Sequence, residues 1–255
     1  MNHHSLRSLI LHLVIPVGFI VLMMVGQVSP ELFMYGNSFL FILLLCGTVL
    51  FKKERTFLSG CMIVPLAVIV SLSLSKLQIS VRSILFYGTF FSVGLSFTRE
   101  YLYIKLHLFS LPPWYKLLFF TLMGFLLGEA LSQISLISHY SFIDEMISHL
   151  EISQLILLLP VITIGEEIMY RRVIQNESEK IVPPFLSVVV TSVLYAVLFF
   201  PLGPLPVFVA YMLSIFLGVT YLFSRRILLT GVTSFGIKIG FLTGLLIFNG
   251  SLWVH

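Results

Sequence analysis

The sequence predicts an all-α membrane protein, a polytopic bundle of about eight or nine transmembrane helices. Of 255 residues, 58% are hydrophobic and only 10% are charged, and the mean hydropathy is +1.05. A soluble domain of this size could not bury so much apolar surface, so lipid is the expected solvent. The apolar runs do not alternate as barrel strands do. Helices therefore remain as the way to pair every backbone N–H and C=O in hydrocarbon.

Windows of about 19 residues place nine apolar spans along the chain, give or take one. The spans are 9–28, 38–51, 57–75, 81–97, 117–137, 150–170, 184–200, 205–223 and 227–248. The second span is short and is expected to extend back toward Phe33. The stretch 100–113 is expected to lie at the membrane interface, as the adjacent Trp114 and Tyr115 also indicate.

Basic residues predict the orientation. With the amino terminus in the cytoplasm, most of the fifteen Lys and Arg residues fall on the cytoplasmic side. These are Arg7, Lys52, Lys53, Arg55, Arg99, Lys105, Lys116, Arg171, Arg172, Lys180, Arg225 and Arg226. Only Lys76 and Arg82 oppose this orientation, and the loop 138–149 contains no basic residue. The carboxyl terminus is therefore expected outside.

No repeat or flexible linker divides the chain. Residues 1–149 form transmembrane helices without a recognisable motif, and residues 150–255 carry the polar residues that could perform chemistry. We expect both parts to form one continuous membrane domain. The net charge of +4 is explained by topology rather than by nucleic acid, which is not an expected partner.

Glu166, Glu167 and Arg171 form the sharpest chemical feature, because ionisable groups inside a membrane span usually mark a functional site. Arg171 follows Glu167 by four residues, so it is expected to hold that carboxylate on the same helix face. Glu166 would then be the freer group, available for general-base work. The alternative is a helix end at the cytoplasmic interface, where Arg171 and Arg172 pair with the glutamates.

Residues 165–171, Gly-Glu-Glu-Ile-Met-Tyr-Arg, resemble the EExxxR motif of the CAAX protease and bacteriocin-processing (CPBP, Abi) family of intramembrane glutamic endopeptidases. The resemblance spans roughly residues 150–248. It implies a glutamate-activated water, with Glu166, Glu167 and Arg171 as the catalytic residues if the chain is active. Family members commonly have Gly after the Arg, where this chain has Arg172.

The other family motifs are degenerate, because both lack their histidine. In the FxxxH frame, Tyr195 and Pro201 fit the expected pattern, but the histidine position holds Phe199. In the HxxxN motif, the His and Asn positions fall on Ser234 and Lys238, or one residue later on Phe235 and Ile239. Removing such preorganised groups typically costs on the order of 100-fold apiece in rate, so little hydrolysis is expected.

Ser234 and Lys238 are four residues apart and share one helix face. If the family's helix arrangement holds, Lys238 approaches the glutamates and forms a buried Glu–Lys ion pair, which would make a structural polar core. The alternatives are a Lys238 that snorkels to the interface and a Ser–Lys nucleophile pair. Glu129 is a further polar core candidate, since Gly124 and Gly128 would let a neighbouring helix come close.

Neither a cofactor nor a metal is expected, because His139, Asp144, Glu145 and His149 lie in a loop without a metal-binding pattern. Three functions remain open. The first is a CPBP-like protein, proteolytically impaired or inactive, that acts as a membrane partner or scaffold for other proteins. The second is an active CAAX-type endopeptidase acting on a peptide substrate. The third is a transporter or channel, although no repeat or broken-helix pair supports it.

Overall fold

The computed structural model of the protein describes residues 3–51, 54–73, 112–137, 159–160, 163–200 and 203–252. These residues are almost entirely helical and contain no strand, which confirms the predicted all-α class. The predicted span 81–97, most of the interfacial stretch 100–113 and the loop 138–149 lie outside the described residues.

Seven helices and one composite helix make up the described chain. They are α1 (His3–Val28), α2 (Pro30–Leu50), α3 (Arg55–Ser73), α4 (Trp114–Ile137), the composite helix 163–178, α5 (Pro184–Val197), α6 (Pro204–Ser224) and α7 (Ile227–Leu252). We call the composite helix the motif helix. Its middle, Ile168–Gln175, is a π-helix, and one α-helical turn, Asn176–Ser178, ends it.

Five of the described helices are long and apolar enough to cross a membrane. The qualifying stretches are Ser8–Val28, Glu31–Leu50, Trp114–Gln133, Pro204–Ser224 and Ile227–Gly244. Shorter apolar stretches occur in α3 and α5. Together these helices show a multi-pass membrane protein, while the count of eight or nine spans stays a prediction.

The second helix extends back beyond its predicted start. It begins at Pro30, whose missing N–H and fixed φ suit the first helical position. The Ser29 hydroxyl caps the helix by accepting a hydrogen bond from the Leu32 N–H at 3.3 Å. The predicted extension toward Phe33 is therefore present.

The sixth predicted span was wrong in its end point, Tyr170, because the motif helix continues to Ser178. The prediction assumed that Arg171 leaves the bilayer for a cytoplasmic loop. In the structure Arg171 is buried within the bundle, and Gln175 is fully buried one turn later. Backbone carbonyls of α6 accept hydrogen bonds from both side chains, so the helix can continue past the point where polar residues begin.

The hydrophobic core joins the first three helices to the motif helix and α5. Phe19 of α1, Phe33 of α2 and Phe57 of α3 are fully buried in the same cluster as Met169 and Leu194. The outer faces of α1 and α2 expose large apolar side chains, as surfaces that face lipid require. The motif helix is thus enclosed by helices from the first part of the chain as well as the second.

Helices α4 and α7 run parallel to each other and pack at backbone distance. Gly124 and Gly128 of α4 lie against the backbone of Thr233 and Ile237, and Gly236 and Gly240 of α7 lie against the backbone of α4. Small residues permit this approach because no Cβ separates the two backbones. The close helix predicted beside Gly124 and Gly128 is α7, and it carries Lys238 to the motif helix.

Candidate functional site

The motif helix buries its ionisable residues. Glu166 is 5% exposed, Glu167 is 3% exposed and Arg171 is 1% exposed. The glutamates lie in the α-helical turn that precedes the π-helical segment, and Arg171 lies inside that segment. π-helical turns are rare and often occur at functional sites, so the change of helix type at this motif itself indicates a specialised region.

Glu166 forms an ion pair with the ammonium group of Lys238 on α7. The same ammonium donates a hydrogen bond to the Thr163 hydroxyl at 3.4 Å, one turn before Glu166. The Glu–Lys pair expected from the family resemblance is therefore present. The expectation that Glu166 is the freer carboxylate was wrong, because α7 brings a cation to it that the sequence of the motif helix does not reveal.

Arg171 acts mainly as a link between the motif helix and α6. Its Nε lies 3.4 Å from Glu167 Oε2, the i, i+4 contact that the spacing predicts, although neither atom has a hydrogen-bond partner. One terminal nitrogen of the guanidinium donates to the Ser214 carbonyl and hydroxyl oxygens, both at 2.9 Å. The other donates to Gln175 Oε1 at 3.5 Å.

Gln175 repeats this link one turn later. Its side-chain amide donates to the Gly218 carbonyl at 3.2 Å and to Glu179 Oε1 at 3.1 Å. Gly218 lies against the Arg171 and Gln175 side chains, so the absence of a Cβ there lets α6 approach. Two successive polar contacts therefore fix the register of the motif helix on α6.

The four charges of the cluster balance. Glu166 and Glu167 contribute two negative charges, while Arg171 and Lys238 contribute two positive ones. Both cations act on Glu167, and the Thr230 hydroxyl of α7 also faces it. A buried cluster with zero net charge avoids the large cost of an uncompensated ion in the membrane.

The two residues at the histidine positions do not supply histidine chemistry. Phe199 packs on the ring of Tyr195 with centroids 5.3 Å apart, and Tyr195 packs edge-to-face on Tyr170 at 5.0 Å. This aromatic row leads from Phe199 to the residue before Arg171. Ser234 is buried on α7 one turn before Lys238, and its hydroxyl can donate one proton but is a poor base.

Glu129 is not part of the charged cluster. It is half-buried on α4, and among the described residues it has no ion pair. Its backbone carbonyl accepts the Ser132 hydroxyl at 2.7 Å, beside the close approach of Gly244. The structure therefore brings together Glu166, Glu167, Arg171 and Lys238 and leaves Glu129 outside.

Sequence reasoning missed Thr163, Gln175 and Ser214. The sequence gives a weak signal for Gln175 and Ser214. Gln175 follows Arg171 by four residues, and Gly218 follows Ser214 by four residues. Such i, i+4 pairs mark a shared helix face, but they do not identify the helix that packs against it. Only the packing of α6 on the motif helix reveals their role.

The described helices bring together a buried pair of glutamates, an arginine one turn later and a cation from the last helix. Residues 148–239 match the family model described as Rce1-like, type II CAAX prenyl endopeptidase Rce1-like. This match confirms the resemblance predicted from the EExxxR motif over the region that contains the whole charged cluster. Comparisons with curated proteins and with solved structures found no match.

Proposed function

We propose that this protein is a CAAX protease-like membrane protein that no longer cleaves peptide bonds and instead serves as a membrane partner or scaffold for other proteins. The observation that carries the proposal is the ion pair between Glu166 and Lys238. A general base must offer an ionised carboxylate within hydrogen-bond reach of the water that it activates. An ammonium group paired with Glu166 occupies the carboxylate and competes with that water.

The residues around the ion pair support the same conclusion. Hydrolysis of a peptide bond needs donors that stabilise the developing oxyanion, and loss of one such donor costs about 100- to 1,000-fold in rate. Phe199 has no polar atom, and Lys238 is already engaged by Glu166 and Thr163. The cluster that surrounds the glutamates therefore suits structural neutralisation better than catalysis.

A cleavage assay tests the catalytic part of this proposal. The detergent-purified full chain is incubated with prenylated and unprenylated CAAX peptides, and products are followed by mass spectrometry. We expect the wild type to cleave the peptides no more than Glu166→Gln does. Glu31→Gln, which changes a carboxylate in the first turn of α2, is the matched control. An active member of the family, assayed in parallel, shows that the peptides and detergent permit cleavage.

Cleavage that disappears in Glu166→Gln but survives in Glu31→Gln would establish the alternative, an active endopeptidase. That alternative has one specific observation in its favour, because Glu166, Glu167 and Arg171 are all present and buried together. In that case Lys238 would have to release Glu166 during the reaction.

The scaffold part of the proposal has its own test. The tagged full chain is extracted from native membranes in a mild detergent, and the proteins that co-purify are identified. We expect a membrane protein that remains bound to the double variant Glu166→Gln/Lys238→Met, which removes the carboxylate without leaving an unpaired buried cation. A chain that always elutes alone would contradict the scaffold role without bearing on the cleavage result.

A further inference from the structure

An open cleft lies between the start of α4, the end of α6 and the start of α7. Its volume is about 730 Å³, within the range of roughly 300–1,000 Å³ that is usual for small-molecule sites. Five aromatic residues line it, namely Tyr115, Phe119, Phe120, Phe216 and Phe223. The one charged residue in the lining is Lys116.

The cleft lies at the end of the bundle where cations gather. Ser224 also lines it, and Arg225 and Arg226 follow directly in the turn that joins α6 to α7. Arg225 forms an ion pair with Glu179. Lys116 and Arg226 form no ion pair with any residue that the structure describes. Lys116 in the lining, and Arg226 two residues along the chain from the lining residue Ser224, therefore remain available to an anion.

We propose that this cleft binds a phospholipid with an anionic headgroup. One acyl chain lies among the aromatic rings, and the phosphate lies at the mouth beside Lys116 and Arg226. The occupant must reach the cleft from the bilayer, because Phe119 and Phe223 on its walls are exposed on the lipid-facing side of their helices. Basic pockets between transmembrane helices favour anionic lipid headgroups, and this cleft combines such a pocket with an apolar interior.

Fluorescence quenching in vesicles tests the proposal. The chain has two tryptophans, so Trp253→Phe leaves Trp114, next to the cleft residue Tyr115, as the single reporter. The full-length variant is reconstituted in phosphatidylcholine vesicles with increasing fractions of brominated phosphatidylglycerol or, separately, of brominated phosphatidylcholine. We expect saturable quenching at a lower fraction of the brominated phosphatidylglycerol.

Four further variants in the same background distinguish binding in the cleft from general attraction of anionic lipid to a basic surface. Lys116→Gln and Arg226→Gln are each expected to weaken the preference for the anionic lipid about fivefold. Lys180→Gln removes an exposed cation that is paired with Glu177 and does not line the cleft, so it should change nothing. Val219→Phe fills the cleft and should abolish saturable quenching while the melting temperature of the protein is retained.

Equal quenching by the two brominated lipids would overturn the proposal, because the headgroup would then carry no preference. An unaltered response in Val219→Phe would overturn it as well, since the lipid would lie outside the cleft. A loss in Lys180→Gln as large as that in Lys116→Gln would show a diffuse surface effect and would equally contradict the site.

Discussion

Lys238 lies where an ammonium group is costly. At about 1.5 Å per residue, it lies about 16 Å along α7 from Ile227, near the middle of a hydrocarbon layer about 30 Å thick. The cost is met by Glu166 and by the Thr163 hydroxyl. The family resemblance implied this pair, because Lys238 occupies a motif position. The partner hydroxyl was not predicted, since nothing local links residues 163 and 238.

Lys238→Met should destabilise the protein, because it leaves Glu166 beside Glu167 with one cation fewer. Breaking a buried ion pair costs about 3–5 kcal/mol. We expect the lower end of that range, since Lys238 keeps 23% of its side chain exposed. Thermal unfolding in detergent, followed by circular dichroism, should show a clearly lowered midpoint temperature.

The double variant Glu166→Gln/Lys238→Met distinguishes loss of the pair from loss of packing. Replacing both partners by neutral residues of similar volume is often close to neutral in stability, so most of the lost midpoint temperature should return. Lys180→Met is the surface control, because its pair with Glu177 is exposed and worth about 0–1 kcal/mol. A double variant as unstable as the single one would show that the ion pair does not hold α7 to the motif helix.

Arg171→Lys should be damaging although it keeps the charge. The guanidinium donates to two oxygens of Ser214 and to Gln175 in directions that one ammonium group cannot reproduce. We expect the free energy of unfolding to fall by about 2–3 kcal/mol, the usual cost of losing a hydrogen bond to a charged group. Arg225→Lys, at an exposed pair with Glu179, should stay within about 1 kcal/mol of the wild type. Equal midpoint temperatures for the two variants would contradict the role of Arg171 as the link to α6.

The helix elements were largely predictable, because apolar length is a strong signal and the caps are local. Proline begins α5 and α6 at positions near the predicted starts, whereas α2 begins at Pro30, before its predicted start. The motif helix was the exception, since its extent depends on contacts with α6 that sequence periodicity does not contain. The sequence predicted that some helix packs closely beside Gly128. It did not identify that helix as α7.

The close contact between α4 and α7 gives a prediction about helix packing. Gly128→Ala should push the two helices apart, because a Cβ there would lie 2.8 Å from the Ile237 carbonyl carbon and the Phe241 nitrogen. Overpacking of this kind costs about 1–3 kcal/mol. Since α7 carries Lys238, the shift should also weaken the pair with Glu166, so Gly128→Ala and Lys238→Met should be less than additive in unfolding experiments.

Gly231→Ala is the matched control, because it lies on α7 with nothing within 4 Å of the added Cβ. It should be neutral or stabilising by up to about 1 kcal/mol, since Ala is the better helix former. A Gly128→Ala variant as stable as Gly231→Ala would show that the backbones are not held at the distance described.

Contacts across the whole molecule bring the cations to one end of the bundle. Ser8 near the start of α1 donates to Glu54, which precedes α3. Arg225 after α6 pairs with Glu179 after the motif helix. Lys116 of α4 shares a cleft with Ser224 and Leu229. We expect the end of the bundle that carries Lys116, Arg225 and Arg226 to face the cytoplasm, as the positive-inside rule predicts.

With that end in the cytoplasm, we expect the amino terminus in the cytoplasm and the carboxyl terminus outside. It is tested in a background carrying Cys46→Ala and Cys61→Ala, into which Ser5→Cys or Ser251→Cys is introduced singly. With a membrane-impermeant maleimide applied to intact cells, we expect labelling at position 251 and none at position 5 until the membrane is opened. Helix α7 runs from the basic turn at Arg226 to the opposite end of the bundle. Labelling of both positions in intact cells, or of position 5 alone, would therefore contradict a cytoplasmic basic end.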